Sequence, residues 1–171
     1  MSLKKSKGLE RNIKKSNQKI IDIKFNCERS FKTRKIKNFV KKSVDQTLEI
    51  LENKKRKTYV SVFLTNNEEI KKINSQYRKI NKATNVLSFP QNETRMISNL
   101  DNYLVLGDIV ISLEKILSEA NDQKKKFFDH LLHMIVHSTL HLYGFDHSNT
   151  KESIEMETKE KDIMKKILYE S

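Results

Sequence analysis

Hydrophobic positions along the chain recur with two different periods, and each period predicts a different type of element. Residues 20–25 alternate apolar and polar side chains, which is typical of a strand with one buried face. Residues 35–52 carry apolar side chains every three or four positions, which predicts an amphipathic helix. Alternating or β-branched runs predict further strands over residues 59–64, 84–89 and 103–111, the last of them interrupted at Gly107.

Four more helices are predicted after the second strand. Thr65 and Glu68 resemble a capping box that opens the first of them, Ser112 can cap the next, and Asp122 is the predicted start of the third. The last helix is predicted over residues 150–169. Its buried side is predicted to carry the apolar residues Ile154, Ile163, Ile167 and Leu168. This order of elements predicts an α+β fold in which a small mixed sheet packs on helices.

The length of the chain, 171 residues, favours a single domain. Residues 1–19 are rich in Lys, Asn and Ser and poor in apolar side chains, so we expect a flexible basic tail. That tail could contact RNA phosphates or simply be solvated. We expect residues 20–171 to form one domain, since neither a linker nor an internal repeat divides them.

The charge of the chain is strongly positive. Lys and Arg outnumber Asp and Glu by 34 to 22, which gives a net charge of +12 and favours a polyanionic partner such as RNA, DNA or an anionic membrane. Abundant Lys, Asn and Ile can also reflect an AT-rich coding genome, so charge alone leaves the partner open. No apolar run approaches the roughly 18 residues of a membrane helix, and the single cysteine, Cys27, fits a reducing compartment. We therefore expect a cytoplasmic protein with no membrane partner.

Histidines near the end of the third predicted helix have the spacing of metal ligands. His137 and His141 stand four residues apart, which places two imidazoles on one helix face, one turn apart. Gly144 permits the positive φ that commonly ends a helix, so His147 can return to the same point. Three imidazoles and a free corner for water form an open site for one divalent ion, most suitably Zn²⁺, although nickel, copper or cobalt would also fit.

The neighbouring residues are given other roles. His133 lies eight residues before His141, roughly 12 Å along the helix axis, so we predict a supporting or core role for it. His130 is predicted to lie on the surface. Asp146 could orient an imidazole by accepting its second N–H, or it could be a turn residue.

A bound cation at such a site favours hydrolysis, because it acidifies water and polarises a phosphoryl or carbonyl oxygen. The metalloprotease motif places a Glu directly after its first His as the general base. Ser138 occupies that position here and cannot serve as a base at neutral pH, so a peptidase is disfavoured.

Three segments of the chain resemble motifs of one bacterial family. Residues 137–147 read H-S-T-L-H-L-Y-G-F-D-H, which is similar to the signature H-G-x-L-H-L-x-G-aromatic-D-H of the YbeY endoribonucleases and rRNA maturation factors. Residues 77–90 resemble the family's Y-R-x-x-x-K-x-T-D-V-L-S-F-P, and residues 106–112 resemble its L-G-D-I-x-I-S. The resemblance covers roughly residues 74–147.

The resemblance implies a zincin-like α+β fold of about four strands and about five helices, with a zinc-type ion at one edge held by His137, His141 and His147. It implies metal-dependent cleavage of single-stranded RNA, with rRNA precursors of the small subunit and the ribosome as partners and no organic cofactor. It also implies that Arg78 lies in the cleft and is needed for function. A guanidinium can clamp a phosphate and stabilise charge in the transition state, and Lys82 is a second candidate for phosphate contact.

Three residues depart from the family pattern, and none is a predicted metal ligand. Ser138 replaces a Gly, Asn85 replaces an Asp and so removes a charge, and Ala83 replaces a Pro. Asp108 matches the family and could be either a turn residue or a catalytic one.

Two alternative functions remain beside an endoribonuclease. A non-catalytic RNA-binding ribosome-assembly factor would use the metal only to hold its C-terminal helices together. A metallopeptidase would share the His-x-x-x-His helix but would need a carboxylate base that the motif lacks.

Overall fold

A computed structural model of the protein describes residues 19–27, 31–52, 57–91 and 103–169. In this part of the chain the strands are β1 (Lys19–Phe25), β2 (Thr58–Thr65), β3 (Val86–Pro90) and β4 (Leu104–Ser112). The helices are α1 (Thr33–Leu51), α2 (Asn67–Arg78), α3 (Leu113–Asp122), α4 (Phe127–Leu142) and α5 (Thr150–Tyr169). Residues 1–18 of the predicted tail lie outside the described residues. Lys19, the last residue of the predicted tail, is the first residue of β1.

The four strands form one mixed sheet in the order β1-β2-β4-β3. β1, β2 and β4 run parallel, and β3 pairs antiparallel with β4 as an edge strand. The predicted α+β class with a small mixed sheet is therefore confirmed. The predicted interruption of the last strand at Gly107 was wrong, because β4 continues through it, and the pairing of β2 with β4 absorbs the irregularity as a shift of register between Tyr59 and Val60.

Each face of the sheet packs on different helices. Val60, Val62 and Leu64 alternate along β2 and join one buried cluster with residues of α1, α3 and α4. On the other face, Leu87 of β3 and Val110 of β4 pack against Ile70 of α2. The sheet is thus covered on both sides, which is why β4 is almost continuously apolar.

Helix α4 is buried on most of its circumference. Leu131 and Ile135 belong to the cluster beneath the sheet. Leu132, Val136 and Leu140 belong to a second cluster that α5 completes with Met156, Ile163 and Ile167. A helix that is packed on two sides is apolar around most of its circumference. The part of the α4 surface that neither cluster covers carries histidines.

Several local predictions differ from the structure. Helix α2 is capped by Asn66, whose side chain accepts the backbone N–H of Glu69, and not by Thr65. Asp122 ends α3, and α4 begins five residues later. Two residues predicted to be buried are largely exposed: Ile154 by 61% and Leu168 by 53%. Ser112 does cap α3, by accepting the N–H of Lys115.

Among the described residues, none of the helices combines the length and the apolar character that crossing a membrane requires.

Candidate metal centre

The end of α4 brings three imidazoles to one place. His137 and His141 lie on successive turns, and the helix ends at Leu142. Gly144 then adopts a φ of +87°, as its position predicted, and the N–H of Phe145 donates back to the carbonyl oxygen of Leu140. This turn folds the chain back, so that His147 faces the two helical histidines.

The ligand atoms of the three residues are close enough to share one ion. They all lie within 4.8 Å of one another, and the Nε2 atoms of His137 and His141 are 3.1 Å apart. The ring centre of His147 lies 5.9 Å from that of His137 and 5.1 Å from that of His141. Nitrogen ligands on a tetrahedral zinc ion, with bonds of about 2.0–2.1 Å, stand about 3.3 Å apart. The spacing of the helical pair fits that requirement.

The hydrogen bonds of the two helical histidines engage Nδ1 of each ring and leave Nε2 free of the oxygen partners. The Nδ1 of His137 lies 2.5 Å from Oε1 of Glu160, and the Nδ1 of His141 lies 2.9 Å from the carbonyl oxygen of Phe145. Carboxylate and carbonyl oxygens accept, so each Nδ1 donates its hydrogen, and a ring in its neutral, metal-binding form has its lone pair on Nε2. In that form both lone pairs point into the same 3.1 Å gap, where one cation can accept them both. The donor set therefore fits a metal ion.

The pKa of His141 supports a neutral ring. Burial lowers it below its ordinary value, and the neighbouring His137 lowers it further, whereas the hydrogen bond to Phe145 acts in the opposite direction. A neutral imidazole is the form that binds a metal.

Glu160 of α5 connects two of the histidines and was missed in the sequence. Its Oε1 accepts from His137, and its Oε2 lies 3.1 Å from Nε2 of His133. Burial acts to raise its pKa, but the hydrogen bonds from His133 and His137 outweigh this effect and lower the pKa to about 2. The carboxylate is therefore ionised and can accept the Nδ1 hydrogen of an imidazole that binds a metal. The sequence did contain a signal of this role, because Glu160 stands four residues after Met156 and three before Ile163, on the apolar face of α5.

The structure places His133 beside this group, one turn before His137, with Glu160 as the shared partner. His130 was predicted to lie on the surface, and this was wrong, because only 4% of it is exposed. Its Nε2 lies 2.9 Å from Oε2 of Glu119, and the same oxygen accepts from Nδ2 of Asn85 at 3.0 Å. The amide that replaces the family's Asp thus joins the start of β3 to α3 and α4.

Asp146 makes its hydrogen bonds within the turn. Its carboxylate accepts the N–H of His147 at 2.8 Å and the hydroxyl of Ser148. These bonds, that of Ser148 first, lower the pKa of Asp146. This is the turn role that we considered as the alternative, and its role in orienting an imidazole stays a prediction. Ser138 is buried and donates to the carbonyl oxygen of Met134 at 2.7 Å, which gives its hydroxyl a structural partner.

Arg78 and Lys82 lie near the edge strand. Arg78 is the exposed last residue of α2, and the neighbouring Tyr77 packs edge-on against Phe89 of β3, with ring centres 5.3 Å apart. Lys82 is also exposed, and its carbonyl oxygen accepts from the buried Asn74 side chain at 2.8 Å. β3 therefore contacts both α4, which carries two of the histidines, and the end of α2, which carries Arg78. The roles of Arg78 and Lys82 stay predictions.

The chain is similar to known proteins in sequence and in fold. The family model described as Endoribonuclease YbeY matches residues 22–168. The chain is 47% identical to an endoribonuclease YbeY of Bartonella bacilliformis over 108 residues, which cover 63% of this chain and 67% of that protein. It is 38% identical to an endoribonuclease YbeY of Neorickettsia sennetsu over 138 residues, 79% of this chain and 90% of that protein. The solution structure of a Thermotoga maritima protein is similar, with a TM-score of 0.59 and 27% identity over 86% of this chain and 90% of that one.

Proposed function

Because the chain belongs to the YbeY endoribonuclease family, we propose that it is a metal-dependent hydrolase that cuts single-stranded RNA internally. The observation that carries this proposal is the pair of Nε2 atoms held 3.1 Å apart, with a ligand atom of His147 within 4.8 Å of them. His137, His141 and His147 would hold one divalent ion, for which Zn²⁺ is the best candidate.

A bound divalent ion supplies Lewis-acid polarisation of a phosphoryl oxygen and acidifies water. Hydrogen bonds within the chain orient the imidazole rings that would hold the ion. Glu160 and the carbonyl group of Phe145 hold the Nδ1 hydrogens of His137 and His141, so that the other nitrogen of each ring points to the common centre. His147 is exposed, so the centre is open to solvent and to a polymer.

Arg78 would contact a phosphate oxygen and stabilise the charge that develops as the phosphodiester is cleaved. Lys82 would contact a neighbouring phosphate. Both side chains are exposed, as residues that meet a polyanion must be, and the net charge of +12 favours the encounter.

We propose a precursor of small-subunit rRNA on or near the ribosome as the substrate, in the cytoplasm, with a role in rRNA maturation and ribosome quality control. The family resemblance and the basic composition support this proposal.

The first test is cleavage of single-stranded RNA by metal-stripped protein to which single divalent ions are added back. Replacing His137 with Ala should abolish cleavage, because the site then keeps only two nitrogen ligands. Thr158→Ala is the control, since Thr158 is an exposed residue of α5 outside the centre and the cavity lining. It should retain full activity, and undiminished cleavage by His137→Ala would end the proposal.

The second test concerns Arg78. The variant Arg78→Ala should lose at least about a hundredfold in kcat/KM, the size expected for one charge-stabilising group. Arg34→Ala is the control, because Arg34 is an exposed arginine in the first turn of α1. RNA binding without cleavage by the metal-loaded protein would favour the assembly factor, and hydrolysis of a peptide library would favour the peptidase.

A further inference from the structure

An open cavity of about 940 Å³ lies between α4 and α5 and borders the metal centre. Its lining includes His137 and His147 from the centre itself and His133 beside them. It is within the size range of cavities that bind small organic groups, about 300–1,000 Å³. Whatever occupies this cavity lies next to the groups that would cleave the substrate.

The walls of the cavity are suited to a flat, uncharged ring. Met134, Met156 and Met164 line it, and methionine sulfur makes favourable contacts with aromatic rings. Its exposed charges are of both signs, since Lys125 and Lys161 are accompanied by acidic residues, among them Glu157, which pairs with Lys161 at 3.8 Å. Such a mixture does not select a phosphate, which carries only negative charge.

A buried polar atom without a partner lies in the same lining. His130 is 4% exposed, and its Nε2 lies 2.9 Å from Oε2 of Glu119. Its Nδ1 has no hydrogen-bond partner among the described residues. A buried polar atom of this kind is normally satisfied by a water molecule or by a ligand. The edge of a nucleobase carries both donors and acceptors, so it can pair with this nitrogen whether or not the nitrogen carries a hydrogen.

We propose that this cavity binds one unstacked nucleobase of the RNA strand, next to the phosphodiester that is cleaved. The inference rests on the proposed function and adds a binding site for the substrate. A base can enter only when it leaves its neighbours, which is easy in a single strand and costly in a duplex. The cavity would therefore be a physical source of selectivity for single-stranded RNA.

The direct test is a binding measurement that needs no cleavage. The zinc-loaded, full-length protein is labelled at its methionine methyl groups and titrated with adenosine monophosphate. The ring current of a bound base should shift the methyl resonances of Met134, Met156 and Met164 upfield, whereas ribose phosphate, which lacks the base, should leave them in place. Equal responses to the two compounds, or none, would overturn the proposal.

The second test uses RNA substrates in which one nucleotide at a time lacks its base. Cleavage should fall about tenfold or more when the missing base is the one that occupies the cavity, a factor typical of losing one stacked base. Met164→Trp, which fills the cavity, should slow cleavage of intact RNA similarly and abolish the sensitivity to the missing base. Ile154→Trp is the control, because Ile154 is exposed on the same helix outside the cavity lining, and it should behave as the unchanged protein.

The two tests separate this inference from the proposed function. Cleavage that is insensitive to every missing base, together with unshifted methyl resonances, overturns the cavity proposal and leaves the endoribonuclease intact. Shifted resonances in a protein that cuts no RNA support the base site and overturn the proposed function. The titration uses the unchanged protein, so it decides the matter even if Met164→Trp does not fold.

Discussion

Glu160 gives the histidine centre much of its order, although it lies outside the ligand set. One carboxylate fixes the ring of His137 and also engages His133. A carboxylate at this place raises the basicity of the imidazole to which it is bonded and restricts the rotation of its ring. The affinity for a metal should therefore depend on a residue of α5 as well as on α4.

Replacing Glu160 with Gln should weaken zinc binding about tenfold to a hundredfold, since the neutral amide orients the ring less firmly and removes the charge. Competition with a chromophoric chelator measures the Kd. Glu157→Gln removes a nearby exposed carboxylate, whose ion-pair partner among the described residues is Lys161, and it should bind zinc normally. Equal values of Kd for the two variants would contradict the role of Glu160.

Cys27 should be unreactive in the folded protein. Burial, and to a lesser extent the carboxylate of Glu114, raises the pKa of its thiol to about 12, and only the thiolate is strongly nucleophilic. Iodoacetamide at about pH 8 should label the native protein far more slowly than the urea-unfolded protein, as followed by mass spectrometry. Comparable labelling rates in the two states would refute this.

The same shift predicts how stability depends on pH. The folded-state pKa lies above the ordinary value of 9.0, so the contribution of the thiol is complete below pH 9 and is lost as the pH rises toward 12. Cys27→Ser should show a smaller loss of stability over that range than the unchanged protein.

At the scale of elements, β3 and the end of α4 meet at Gly107 of β4. This glycine has a φ of +141°, and a Cβ atom there would lie 2.2 Å from the carbonyl oxygen of Phe89 and 3.1 Å from Cδ2 of Leu142. A side chain would therefore separate the edge strand from β4 and push on the last turn of α4. Because glycine has no side chain, β3, β4 and the last turn of α4 can pack closely together at this point.

Gly107→Ala should cost about 3 kcal/mol or more in free energy of unfolding, because it combines an unfavourable φ with a clash against backbone. Gly144→Ala is the matched comparison, since Gly144 also has a positive φ but has open space around its Cα. It should cost only about 1–2 kcal/mol. Urea denaturation measures both values, and equal losses would show that the close approach at Gly107 is unimportant.

The elements themselves were largely predictable, since period and capping residues depend on neighbours in the sequence. The alternation of apolar and polar residues predicted the strands of the sheet. Gly144 predicted the turn that brings His147 back to the two helical histidines. The break between α3 and α4 was predicted too early. It lies around Lys124, whose φ of +54° is uncommon for a lysine and could not be expected from its residue type. The roles of His130 and Glu160 were missed for a different reason. Their partners lie eleven and more residues away and meet only after the helices pack.

At the scale of the whole molecule, two apolar clusters hold α4 without help from a metal. One joins α4 to the sheet and α1, and the other joins it to α5. The three histidines that could hold an ion belong to α4 and the segment that follows it, and His147 is exposed. This distribution favours a metal that is bound to a prepared site over a metal that the fold requires.

Chelation should therefore lower Tm without unfolding the protein. Zinc at a hundred times its Kd adds about 2.7 kcal/mol, which corresponds to roughly 5–10 °C for a domain of this size. Circular dichroism at room temperature should show unchanged helix content in the metal-free protein. An unfolded apo-protein would instead favour the assembly factor with a structural metal.

The unequal burial of the three histidines also determines how an ion can come and go. Two of them belong to a helix that is enclosed by the sheet layer and by α5, whereas the third lies on an exposed turn. Amide hydrogens of α4 should exchange with solvent only when the whole domain opens, and those around His147 should exchange quickly. An ion held at this centre would then be able to leave or enter when the exposed turn opens, while the nitrogens of the two helical histidines stay in position to bind it.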